Sequence, residues 1–301
     1  MKHRTLIAAL PLALAILSIA NPGSVRGDDP APSPQHILAL VDRVITNQHR
    51  DDAALEQYER LERRQIRRSA QDTIPAEDKT FRLVPTGTGT VRVQVEEGGR
   101  PVDAALYRKQ LRDAEQALVW ALHPNESRQR QRVEKGDKRR RERAELVDAV
   151  RNAYRFTWLG RETRNGRTLV QLQLDPNPAF KPTSRNMSLL ASVHARVWVD
   201  EAAAQLVRLE AEVIRDISFG GGILGKIYRG GQFVIDQVEV APGVWLPTRY
   251  DYNFNGRKFL FGFEMHELTE VSHYRHIGPP KDALVAIRRE LGTGASSSPA
   301  P

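Results

Sequence analysis

His266 and Glu267 open the pattern of a zinc protease, but Glu270 stands where the second histidine would have to be. The surrounding residues alternate as a strand, which sends His266 and Glu267 to opposite faces. The same alternation separates Glu270, His273 and His276 as a ligand set, because residues three apart on a strand point opposite ways. No metal site is expected. Residues 220–227, GGGILGKI, contain the G-x4-G-K core of a phosphate-binding loop, yet Ile227 occupies the place of the magnesium-holding hydroxyl and no helix pattern follows. A turn or bulge between strands accounts for these glycines. There is no nucleophile elbow, and no pair of carboxylates stands apart from solvated charge. The absence of cysteine removes disulfides, thiolate ligands and a thiol nucleophile together. No cofactor is implied and the expectation is a non-enzymatic protein. A hydrolase would need polar groups scattered along the chain to meet in one pocket.

What remains for function is apolar and cationic. If Asn255-Gly256 is a two-residue type I′ turn, Tyr252 faces Phe259, Tyr250 faces Phe261 and Thr248 faces Phe263. One face of that hairpin then becomes an aromatic ladder. Such a face is either core or the wall of a lipid-sized cavity, and the candidate wall is Trp198, Tyr250, Tyr252, Phe259, Phe261 and Phe263. The second feature is residues 128–143, where nine Lys and Arg stand against Glu134, Asp137 and Glu142, with Val133 the sole apolar side chain. So thin a stripe is expected to be exposed, or disordered around Gly136. It reads as a solvated face or as a patch, Arg139, Arg140 and Arg141, for anionic membrane headgroups or a partner. Without interleaved aromatics it does not suggest nucleic acid.

The elements that must position these groups centre on residues 196–216. Val197 and Val199, then Val207, Leu209, Ala211 and Val213, alternate with polar neighbours on either side of a short link, the pattern of an antiparallel hairpin. Residues 80–95 read as two more strands. Residues 156–163 and 168–174 flank Asn165-Gly166, a strong hairpin signal, and residues 187–199, 232–240, 244–254 and 268–277 continue the sheet. Residues 35–50 form an amphipathic helix, while 58–68 fit either a helix or a charged strand. Asp103 caps a helix ending near Pro124, and another runs from 125 to about 153.

Lys2, His3 and Arg4 precede an apolar run, as in a secretory signal peptide, with cleavage after Ala20 or Gly27. Removal of residues 1–27 would lower the formal charge from +8 to +5. The expected organisation is a signal peptide (1–27), a Pro-rich linker (28–34), one sheet domain (35–278) with a helical insertion (103–153), then a short helix and disordered tail (279–301). The protein is expected to be exported, to the periplasm where the cell has an outer membrane.

The charged early segment YERLERRQIRRS, the GRETRNGRTLVQLQL hairpin, the VWVDEAAAQLVRLEAEV unit and the late GVWLPTRYDY strand together resemble the LolA-type periplasmic lipoprotein-carrier superfamily. The resemblance spans roughly residues 35–277. It implies an α+β fold, a curved and unclosed antiparallel half-barrel covered by helices, that holds acyl chains without covalent chemistry. The partner it implies is a lipid or acylated protein. No ligand-contacting residue carries over. The competing expectation is an envelope interaction protein whose sheet is filled by its own side chains and whose basic helices bind a protein.

Overall fold

The computed structural model describes residues 31–69, 71–124, 126–219, 225–258 and 261–293. The expected signal peptide, the start of the linker, residues 220–224 of the glycine-rich loop, Phe259 and the tail after 293 lie outside these residues.

The chain builds one large antiparallel sheet and five helices among the described residues. In chain order these are α1 (Pro34–Leu55), β1 (Tyr58–Arg67), β2 (Glu77–Pro85), β3 (Thr90–Glu97), β4 (Arg100–Pro101), α2 (Ala104–Leu122) and α3 (Ser127–Ala153). There follow β5 (Tyr154–Arg164), β6 (Arg167–Pro176), α4 (Arg185–Leu190), β7 (Val193–Asp200), β8 (Gln205–Val213), β9 (Ile217–Phe219) and β10 (Gly225–Ile227). Last come β11 (Gln232–Ala241), β12 (Val244–Lys258), β13 (Phe261–His276) and α5 (Pro280–Thr293). The strand order is β4-β3-β2-β1-β13-β12-β11-β8-β7-β6-β5, with β10 and β9 branching from the end of β12. Its two ends, β4 and β5, do not meet, so the sheet is curved but unclosed.

Local chemistry explains much of this. Asn165 and Gly166 take φ values of 51° and 74°, the left-handed pair that a type I′ turn requires, and β5 pairs with β6 around them. β7 and β8 pair as the alternation predicts, Val197 opposite Leu209 and Ala195 opposite Ala211. Residues 58–67 settle as strand. Their Arg and Glu side chains pair across the sheet, Arg63 with Asp78 at 2.6 Å and Arg64 with Glu267 at 2.7 Å. The expected strand over 187–192 is instead α4, capped by Ser184, whose hydroxyl accepts from the Met187 N–H.

The β12–β13 register differs from expectation. Asn255-Gly256 is not a turn: β12 runs on to Lys258, Tyr252 faces Glu267 and Tyr250 faces Thr269. The expected last strand is therefore one half of the sixteen-residue β13. Gly256 explains why the strand continues. A Cβ there would stand 2.4 Å from the Lys226 carbonyl oxygen and 2.8 Å from the Phe263 ring, so this glycine serves close approach by β10 and by an aromatic ring.

The helices divide between the two faces of the sheet. α1 and α3 lie antiparallel on the concave face, joined by Arg151–Asp42 at 2.5 Å, His49–Asp148 at 2.7 Å and Arg143–Asp52 at 2.5 Å. Asn47 fixes α1 to the β7–β8 turn by donating to the carbonyls of Ala203 and Ala204 at 3.0 and 2.9 Å. α2 and α5 pack on the opposite face, where Leu111, Leu118, Ala283 and Ile287 enclose Val84. The helical insertion, expected to pack near the open face, places α3 on the inner face and α2 on the outer one.

Gly136 is buried rather than loose. A Cβ on it would stand 2.6 Å from the Thr88 carbonyl oxygen, so α3 rests directly on the β2–β3 loop. Alanine in place of a mid-helix glycine ordinarily stabilises by up to about 1 kcal/mol. Here the contact reverses the sign, and Gly136→Ala is expected to lower the melting temperature. A rise in a thermal melt would show that the loop yields without loss.

A second expectation concerns Asp51, which is 1% exposed at the end of α1. One of its oxygens accepts from the Trp245 N–H at 3.2 Å, and the other has no hydrogen-bond partner among the described residues. Burial raises its pKa above the ordinary carboxylate value, against the pull of the Trp245 hydrogen bond. A raised folded-state pKa favours the fold below the unfolded value, and that contribution is lost as pH rises through the folded one. Asp51→Asn keeps the acceptor and removes the charge. Denaturant titration should find it more stable at neutral pH, by on the order of 1 kcal/mol, with the difference closing near about pH 4.

Candidate functional site

Between α1, α3 and the strands β5, β6, β7, β8 and β11 lies an apolar cavity of about 350 Å³. Its roof is built by helical periodicity: Leu40, Val41, Val44 and Ile45 on α1 meet Leu146, Val147 and Val150 on α3. Its floor is built by strand alternation, with Phe156, Leu172 and Leu174 at one side and Val197, Leu209, Phe233 and Ile235 towards the other. In the middle Ala195 and Ala211 oppose each other across β7 and β8, and two methyl groups there leave room that larger pairs would fill. Gln48, Gln237, Arg143 and the phenol of Tyr154 are the polar members of the lining, and Gln237 donates to Gln48 at 3.2 Å. The volume is at the small end of ligand pockets, roughly 300–1,000 Å³.

The aromatic residues expected on the wall are dispersed. Trp198 is buried on the other face of β7, with Arg196 and Arg208 at 6.0 and 5.9 Å from its ring. A β-bulge beside it, between Trp198 and Val199, interrupts the pairing with β8. Tyr250 and Tyr252 share the concave face, being cross-strand partners of Ile235 and Phe233, but they extend that face beyond the cavity. Their rings are stacked 6.1 Å apart along one strand, not laddered across two. Phe263 is on the same face, against Gly256, and Phe261 is 79% exposed at the strand tip. Phe259 lies outside the described residues.

The three arginines of the basic patch do not present one surface. Arg139 donates to the Thr88 carbonyl at 3.0 Å, and Arg140 to the Gly87 carbonyl and to Glu56. Arg141 alone is exposed with no partner among the described residues. The histidines are engaged separately. Nδ1 of His266 lies 3.0 Å from the Asn253 side-chain oxygen, and His276 lies 3.2 Å from the Gln57 carbonyl oxygen of its side chain. Glu267 accepts from Arg64, and among the described residues no three His, Asp or Glu side chains gather into a metal-binding group.

The roof from α3 is the part that sequence reasoning missed. Leu146, Val147 and Val150 recur at three- and four-residue spacing just after the basic run, a short amphipathic signal hidden by the charge before it. The paired alanines carry no signal until the register is known.

No family model matches the chain, and no curated protein matches it. Among solved structures, that of a DUF1329 family protein from Desulfovibrio piger aligns with 79% of this chain and 92% of its own, at 10% identity and a TM-score of 0.27. That likeness is too slight to transfer a function.

Proposed function

We propose that this is an exported, non-enzymatic carrier that holds a lipid or the acyl chains of a lipidated protein at the cell envelope, as the LolA-type resemblance implies. The observation that carries the reading is the apolar cavity of about 350 Å³ roofed by α1 and α3. Its lining is almost wholly aliphatic and aromatic, and each methylene buried in it would contribute roughly 0.8 kcal/mol. The unclosed sheet lets the two helices act as the removable side of the container. The charged run at residues 2–4 and the apolar run after it support export.

Solvent extraction of the purified protein followed by lipid mass spectrometry, with titration of a fluorescent fatty acid in parallel, tests this. The expected result is co-purified lipid near one equivalent, or saturable probe binding displaced by unlabelled fatty acid. Absence of both would overturn the reading and favour an interaction protein whose interior its own side chains suffice to fill.

A further inference from the structure

A second pocket, of about 370 Å³, lies at the other end of the same two helices, where charged side chains stand among Leu55, Pro85 and Ala144. Arg143 lines both. Along α1 the cavity takes residues 40–48 and the pocket takes His49, Asp52 and Glu56; along α3 the cavity takes 146–150 and the pocket takes Arg140 and Arg143. At a rise of 1.5 Å per residue, Asp52 stands roughly 12 Å along the helix from Val44. The concave face is therefore an amphipathic trough, apolar at one end and charged at the other.

The charges in that pocket do not balance. Asp52 is taken by Arg143, at 2.5 and 2.7 Å, and Glu56 by Arg140 at 3.4 Å. His49 is paired with Asp148. Arg60, on β1, also lines the pocket, and its guanidinium pairs with no carboxylate among the described residues; it donates only to the Tyr58 carbonyl at 3.3 Å. Glu62, two residues along the same strand face, is held by Arg92 at 3.1 Å. Burial disfavours the charge on Arg60, against attraction from Tyr274, Tyr250 and Glu62. Tyr250, whose ring is close enough to Arg60 and Arg143 to interact electrostatically with both, has a hydroxyl with no hydrogen-bond partner among the described residues. A half-buried guanidinium with no carboxylate partner and a half-buried phenol hydroxyl with no hydrogen-bond partner among the described residues, set beside a second arginine, are groups suited to receive an anion.

Resting on the carrier reading above, we infer that the ligand is an anionic amphiphile whose acidic head, a carboxylate or a phosphate, sits between Arg60 and Arg143 while its acyl chain lies in the cavity. Arg60 supplies the uncompensated charge, Arg143 bridges head and chain, and Tyr250 offers a hydroxyl donor. The headgroup site is thus inside the trough, at Arg60 and at Arg143, the last residue of the basic run, and not at Arg139 and Arg141.

The test compares dodecanoate, dodecyl phosphate and dodecanol by isothermal titration or displacement of a fluorescent fatty acid, in the unaltered protein and in Arg60→Gln and Arg60→Lys. The two anions are expected to bind at least tenfold more tightly than the alcohol, a ratio equal to about 1.4 kcal/mol. Arg60→Gln should erase that preference without weakening dodecanol binding, and Arg60→Lys should retain part of it. Because Arg60 holds no ion pair, thermal melts of these variants should stay near that of the parent. Inorganic phosphate alone should compete only weakly; competition as strong as that of dodecyl phosphate would show a free-anion site and overturn the amphiphile assignment. Equal binding of all three probes, unchanged in Arg60→Gln, would overturn the headgroup site and leave the acyl cavity standing. Failure of all three to bind would overturn the carrier reading itself.

Discussion

Ala211→Phe is expected to weaken acyl binding at least tenfold while raising the melting temperature. In a filled core the added ring would force neighbours off their rotamers and destabilise by about 1–3 kcal/mol. Ala211 instead faces Ala195 across the floor of a cavity of about 350 Å³, with Phe233 on the adjoining strand at the cross-strand position. A phenylalanine side chain entering that space gains contacts that the empty cavity lacks, and burying it fully stabilises by roughly 1.5–3 kcal/mol. The same ring occupies the place of several methylenes of a ligand, so affinity for a fatty-acid probe should fall at least tenfold. Ala195→Phe should do the same from the opposing strand, and the two together should overfill the site. The sign of the melting shift decides between the competing readings of the sheet. A fall in melting temperature with intact probe binding would mean that the interior is already packed and that the probe sits elsewhere.

How far the sequence discloses such a site depends on the range of the interaction. Alternation along residues 193–213 names the inward positions, and Asn165-Gly166 fixes its hairpin, because both are decided by neighbours a few residues away. The same local logic misleads at Asn255-Gly256. There the deciding contact is with the Lys226 carbonyl, brought in by a strand thirty residues earlier, and no local pattern reports it. Tyr252 lands opposite Glu267 instead of Phe259, a displacement of eight residues along β13. Because eight is even, every side chain keeps its face, which is why Tyr250, Tyr252 and Phe263 still share the concave side although their pairing is different. The void is less legible than the face. Ala195 and Ala211 are sixteen residues apart, and nothing in either neighbourhood says that two small side chains will be stacked opposite each other. The polar end of the trough is less legible still: Arg60, Arg143 and Tyr250 come from β1, α3 and β12, and in the sequence the two arginines read as members of charged runs and Tyr250 as part of an aromatic wall.

The largest loss of stability is expected far from the cavity, at Arg82. Its Nε donates to Glu59 at 2.8 Å and its Nη1 to Glu290 and to the Tyr107 hydroxyl at 2.7 and 2.8 Å, while Tyr107 donates to Glu290 at 2.7 Å. Arg275 donates to the second oxygen of Glu59 at 2.8 Å. One guanidinium thus ties β1 and β2 to α2 and α5, and both Arg82 and Glu59 are buried. Burial opposes the charge on Arg82, but Glu59, Tyr107 and Glu290 outweigh it and hold its pKa above the ordinary value. Arg82→Ala leaves Glu59 buried with half its partners and frees Glu290 and Tyr107 from their shared donor, so the expected loss is about 3–5 kcal/mol by denaturant titration. Replacing both members of the buried pair, Arg82→Met with Glu59→Gln, removes the orphaned charge and should be less destabilising than Arg82→Ala alone. A single-variant loss below about 1 kcal/mol would place the network in the solvated class, where ion pairs contribute little. Because α2 and α5 stand on the face away from the trough, the folded fraction of Arg82→Ala should bind dodecanoate as the parent does. A matched fall in affinity and stability would instead mean that the outer helices set the curvature that keeps the inner cavity open.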